Sequence, residues 1–121
     1  MEVMIKLPRH QIVYNKLSDE AKLNLAHLED HLKQETAEEY PVLSHVFEEA
    51  YGISGIVFRS MINYLRGTKR PICANRKGYW WEKNDKVYRE YLKSLESRVS
   101  CIMYAVRGGH AGIKERGNEK I

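Results

Sequence analysis

Two sets of side chains in this 121-residue sequence have types and spacings that could do chemistry. The first is His27 and His31, four apart, which a helix would bring to one face at a spacing that metal sites use. A zinc-protease helix carries glutamate directly after its first histidine. Leu28 stands there instead, and no third ligand is evident, so the pair reads as two surface histidines and no metal is expected. The second set is Arg59, Ser60, Asn63 and Arg66, threaded between Val57, Phe58, Met61, Ile62 and Leu65. The apolar members recur at three and four residues, which makes one buried helix face. The polar and basic members are left outward, and base edges and phosphates require such side chains. Lys69 and Arg70 follow, then Arg76 and Lys77 inside a turn sequence. On this pattern Arg59, Ser60 and Asn63 are candidates for base contacts, and Arg66, Lys69 and Arg70 for phosphate. Arg76 and Lys77 would meet the backbone or the minor groove of double-stranded DNA.

The elements that must hold these residues follow from local signals. Residues 1–17 mix apolar and basic residues around Pro8 and read as an irregular lead-in, with room for a short strand or helical turn at Gln11 to Leu17. Arg9 and His10 there could touch a partner. Ser18 caps a helix over Asp19–Gln34, with two carboxylates in its first turn and a stripe of Ala21, Leu25, Leu28 and Leu32. Glu35 to Tyr40 breaks the pattern, and Pro41 suits the start of a second helix, Pro41–Tyr51. Its predicted inward residues are Val42, Leu43, Val46, Phe47 and Ala50, with Glu48 and Glu49 turned outward or sideways. Gly52-Ile53-Ser54 is a turn: Gly52 tolerates positive φ at a helix end, and Ser54 caps the next helix, which should stop at Gly67. A hairpin then runs from Arg70–Ala74 through Asn75-Arg76-Lys77-Gly78 to Tyr79–Trp81. Trp80 and Trp81 are adjacent on a strand, so at most one faces the core.

A long helix capped at Asn84 or Asp85 is expected to reach about Arg107. Tyr88, Leu92, Leu95, Val99, Ile102 and Val106 form a heptad seam in it. The seam reads equally as packing on its own domain or as a homodimer interface. Gly108-Gly109 should end the helix, leaving 108–121 as a disordered, glycine-rich tail. The domain proper would be residues 18–107.

Charge is divided along the chain. Residues 1–50 carry 5 Lys/Arg against 10 Asp/Glu, a net of −5, and residues 51–121 carry 15 against 6, a net of +9, which gives the overall +4. The basic half points to an anionic partner. No apolar run is long enough for a membrane span, no secretory signal is visible, and Cys73 and Cys101 lack CxxC spacing. A reducing cytoplasm is expected. There is no phosphate-binding glycine loop, no metal cluster and no nucleophile with a placed base, and Glu48-Glu49 has no pocket around it. Neither an enzyme, a cofactor nor a small-molecule substrate is expected.

Gly52-Ile53-Ser54, Arg59, Ile62, Leu65-Arg66, Pro71-Ile72-Cys73 and Gly78-Tyr79-Trp80 together resemble the small winged helix-turn-helix DNA-binding proteins of phage and prophage. The resemblance covers about residues 40–105. It implies a mainly α fold with a small β-hairpin, here with an extra N-terminal helix and a long C-terminal helix. It implies a DNA-binding regulator of transcription, replication or recombination in a bacterial host cell. One departure is Glu48, which stands four before the turn glycine, where the family places a small residue because two helices cross closely there. A different reading of the same fold is a protein-interaction module that binds and inhibits or redirects a host protein through the acidic N-terminal half.

Overall fold

The computed structural model of the chain describes residues 7–119. Its elements are α1 (Arg9–Asn15), α2 (Asp19–Glu35), α3 (Ser44–Tyr51), α4 (Gly55–Gly67), β1 (Ile72–Asn75), β2 (Gly78–Trp81) and α5 (Asp85–Glu119). The fold is mainly helical with one small antiparallel hairpin. It divides into two compact units, one ending at Lys83 and the other beginning at Asn84. The predicted lead-in is a helix from Arg9, its first six residues lying outside the described ones.

Both serine caps form as their hydroxyl chemistry dictates. Ser18 accepts from the Ala21 amide at 3.1 Å and Ser54 from the Val57 amide at 3.2 Å. Between α3 and α4, Gly52 sits at φ 62°, and the Ile53 amide reaches back to the Glu48 carbonyl at 3.0 Å. That bond turns the chain sharply and sends Ile53 into the core.

The core gathers Leu28 and Leu32 from α2, Phe47 from α3, Phe58, Met61, Ile62 and Leu65 from α4, and Ile72 from β1. A ladder of rings runs through it. His31 meets Phe47 edge-on at 5.0 Å, Phe47 stacks on Phe58 at 5.2 Å, and Phe58 meets Tyr79 edge-on at 5.1 Å. Such pairs add about 0.5–1.5 kcal/mol each beyond the area they bury. They tie α2, α3, α4 and the hairpin into one unit.

Two expectations are corrected here. The helix predicted from Pro41 begins only at Ser44, because Val42 is taken up by the hairpin. Its amide donates to the Tyr79 carbonyl at 2.9 Å, and the Tyr79 amide donates to the Val42 carbonyl at 2.8 Å. Starting later, α3 buries Phe47 and half-buries Ser44, Glu48 and Tyr51, leaving Leu43, Val46 and Ala50 exposed. Helix α4 does end at Gly67 as expected, but the left-handed turn comes two residues later and not at the glycine. The left-handed residue is Lys69 at φ 78°, with the Arg70 amide on the Leu65 carbonyl at 3.0 Å and the Lys69 amide on the Arg66 carbonyl at 3.3 Å. Finally, α5 runs through Gly108-Gly109 to Glu119, so the segment after 107 is helical as far as it is described. Glycine within a helix costs about 1 kcal/mol against alanine but keeps its backbone hydrogen bond, and no proline follows to break the ladder.

Candidate nucleic-acid interface

The hairpin is positioned first. Ile72 pairs with Trp81, Cys73 with Trp80, Ala74 with Tyr79 and Asn75 with Gly78, which leaves Arg76 and Lys77 as the tip. Asn75 Oδ1 accepts from the Lys77 amide at 2.8 Å and shapes the turn. Gly78 takes φ 137° directly under Val42. Thr36, buried at the end of α2, donates to the Leu32 carbonyl and accepts from the Trp81 amide at 2.8 Å. Trp81 lies beside the core under the Lys33 ammonium, and Trp80 is buried on the other side with its indole N–H on Glu82 at 2.8 Å. Trp80 is therefore buried and Trp81 half-buried.

On α4, Arg59 and Asn63 are exposed as their spacing requires. Ser60 is half-buried, and its hydroxyl donates to the Val57 carbonyl at 2.6 Å. Ile56 was not singled out in the sequence, yet it is 74% exposed. The signal was available, because residues 56, 59 and 63 are one helical stripe at spacings of three and four.

The helix crossing that Glu48 called into question is solved from the other side. A side chain at Gly55 would come within 3.2 Å of the Glu48 carboxylate and 3.3 Å of the Arg59 guanidinium. The small residue at this contact is thus Gly55, on α4. Its absent side chain brings Glu48 and Arg59 toward the same space.

The other basic candidates separate into two groups. Lys69, Arg76 and Lys77 are exposed. Arg66 and Arg70 are engaged in the fold. Arg66 Nε donates to the Ile72 carbonyl at 3.0 Å and holds the hairpin to α4. Arg70 Nε donates to Glu29 on α2 at 2.6 Å, and its Nη1 donates to the Thr68 carbonyl at 2.8 Å. The Glu29 carboxylate holds the Arg70 guanidinium more firmly charged than usual. Arg9 and His10 gain a place: with Val13, Asn63, Tyr64 and Gly67 they line a cleft of about 280 Å³ between α1 and α4.

His31 is half-buried, with Nε2 2.9 Å from Glu35 and Nδ1 3.3 Å from the Tyr51 hydroxyl. Burial and the Glu35 charge both push the Tyr51 hydroxyl pKa up. Among the described residues, no group of three or more His, Cys, Asp or Glu is placed to hold a metal. Burial first, then the Glu82 carboxylate, pushes the Cys73 thiol up to about 12, so it stays neutral inside the fold.

Comparison with protein-family models, curated proteins and solved structures returns no match. Among the described residues no helix is long and apolar enough to cross a membrane. The reading of function therefore rests on the geometry.

Proposed function

We propose that this chain is a double-stranded-DNA-binding protein of winged helix-turn-helix type, acting as a phage or prophage regulator rather than as an enzyme. In this reading α2, α3 and α4 form the helical body, the single Val42–Tyr79 bridge stands in for a first strand, and the β1–β2 hairpin is the wing. The observation that carries it is the helix α4 behind the αL turn at Gly52, with Arg59 and Asn63 exposed and an Arg76-Lys77 tip on the hairpin that follows. Recognition helices meet base edges with exposed residues near their N-terminus. Arg59 and Asn63 would do so here, with Ile56 placed to meet a thymine methyl. Lys69, Arg76 and Lys77 would take phosphate.

A second reading is favoured by one feature of the acidic half. Tyr40 is 74% exposed and follows Glu38 and Glu39 in a turn closed by its amide on the Ala37 carbonyl at 2.8 Å. An exposed aromatic beside two carboxylates suits a basic host protein.

Binding of the full chain to pooled random duplex, followed by fluorescence anisotropy across a salt series, separates the two. Three or four phosphate contacts give a log–log slope of about −2.7 to −3.6. Lys77→Ala should reduce that slope by about 0.9 and weaken all sequences alike, whereas Arg59→Ala should relax preference for a selected site. Equal losses on selected and random DNA for both variants would refute the division of roles. No binding at low salt would overturn the DNA reading and leave the Glu38–Tyr40 turn as the surface to test by charge reversal.

A further inference from the structure

Helix α5 is 35 residues long and lies in a compact unit of its own. Because it continues through Gly108-Gly109, the alternation of four and three that begins at Tyr88 does not stop at Val106. It reaches Gly109 and Ile113, giving eight seam positions with no charged residue among them. At 1.5 Å per residue this stripe is about 38 Å long. Its members Leu92, Val99, Ile102, Val106 and Ile113 are 36 to 61% exposed, Met103 beside them is exposed too, and Tyr88 and Leu95 are half-buried.

We propose that this face pairs with α5 of a second copy of the chain, antiparallel, about a two-fold axis between Ser100 and Cys101. The helix is complementary in size to its own reverse. Its first half carries Tyr88, Tyr91 and Leu92, and its second half carries Ala105, Gly109 and Gly112. Set antiparallel in seam register, Leu92 packs on Gly109 of the second copy, Leu95 on Val106, Val99 on Ile102 and Tyr88 on Ile113. Each pair occurs twice, so all eight positions are used. On the flanks Tyr91 covers Gly112 and Arg98 covers Ala105. A parallel pair in the same seam sets Gly109 against Gly109 and Tyr88 against Tyr88. That leaves a void at one layer and crowding at another, both of which close packing disfavours. Charge does not oppose the antiparallel pair, since the flanks bring Arg89 beside His110 and Glu96 beside Met103. Seven apolar side chains from each copy bury on the order of 1,000 Å², the lower end for a specific interface. The pair is therefore a reversible dimer. It stands independently of the DNA reading.

Sedimentation equilibrium of the full chain over micromolar to submillimolar concentrations should show a monomer–dimer equilibrium. Val99→Asp and Ile102→Asp should each weaken dimerisation more than tenfold. Unfolding followed by the fluorescence of Trp80 and Trp81 should be unchanged, since both tryptophans belong to the other unit. Orientation is read by oxidative cross-linking in a Cys101→Ser background. Leu92→Cys and Gly109→Cys chains should cross-link to each other when mixed, and neither should cross-link to itself. Self-cross-linking of Leu92→Cys would overturn the antiparallel pair. A chain monomeric throughout, a dimer indifferent to Val99→Asp, or a monomer that binds anionic vesicles through this face would overturn the self-association.

Discussion

Replacing Gly78 with alanine should strongly destabilise the N-terminal unit, although glycine and alanine differ by one methyl. At Gly78 a Cβ would lie 2.4 Å from the Val42 carbonyl carbon, 2.5 Å from its oxygen and 2.8 Å from the Leu43 nitrogen. All three are backbone atoms, so no side chain can swing away. The backbone there is also at φ 137°, where an L residue is strained by about 1–3 kcal/mol. Relieving the clash means lifting Val42 off Tyr79, which breaks the bonds of 2.9 and 2.8 Å between them. Each backbone bond contributes about 0.5–1.5 kcal/mol net. The total is about 2–6 kcal/mol, a large part of the roughly 5–15 kcal/mol that holds a small domain together. Urea unfolding followed by tryptophan fluorescence measures it, since Trp80 and Trp81 lie in β2. With a slope of about 1.5 kcal/mol per molar, the midpoint should fall by at least about 1.3 M. Gly67→Ala is the control. Nothing lies within 4 Å of a Cβ there, the residue is helical, and alanine should gain about 0.5–1 kcal/mol. A Gly78→Ala midpoint within about 0.5 M of the parent would refute the close approach of Val42 and with it the Val42–Tyr79 bridge.

Three further outcomes are expected. Lys69→Gly should raise stability by about 0.5–1 kcal/mol by relieving the left-handed residue at φ 78°, yet weaken DNA binding; denaturant midpoints and anisotropy should move in opposite directions. Arg70→Ala should lower stability by about 0.5–1.5 kcal/mol, because it removes a partly exposed bond to Glu29, and should leave the salt slope of DNA binding unchanged; a shallower slope would return Arg70 to the phosphate contacts. Native-state alkylation should label exposed Cys101 and spare buried Cys73. Since the Cys73 thiol is raised to about 12 from an ordinary 9.0, the unfolded chain gives up that proton first. Its contribution is whole below about pH 9 and is lost as pH rises toward 12. The stability gap between the parent and Cys73→Ala should therefore narrow from pH 8 to pH 10 in urea melts.

Local signals made much of the helical frame legible. The caps at Ser18 and Ser54 and the turn at Gly52 involve partners three to five residues away, so residue type alone carries them. The buried face of α4 follows from spacing, because Phe58, Met61, Ile62 and Leu65 admit one phase of a 3.6-residue turn. The phase of α3 was hidden. Val42 has the apolar character of a helix face, and only Tyr79, far along the chain, claims its backbone for a sheet.

The candidate site divides along the same line. Arg59, Asn63, Arg76 and Lys77 are exposed as the pattern of the chain requires, because helical period and turn chemistry are local and leave them outward. Arg66 and Arg70 have the same type and neighbourhood in sequence, yet the fold spends them on the Ile72 carbonyl and on Glu29, 41 residues away. An arginine offers the same donors to a carbonyl, a carboxylate or a phosphate, and which acceptor lies within reach is decided by how helices and hairpin pack. The seam of α5 is the converse case. Its spacing was written in the sequence, but its length was not, because a glycine pair ends a helix only when the backbone after it turns left-handed, and here it does not. Sequence alone determined α2 and α4, the serine caps that start them and which half of the chain is basic, since these depend on neighbours within a turn or on simple charge. Tertiary structure decided which basic residues remain outward and which glycine cannot change, since both depend on atoms that only folding brings within 3 Å.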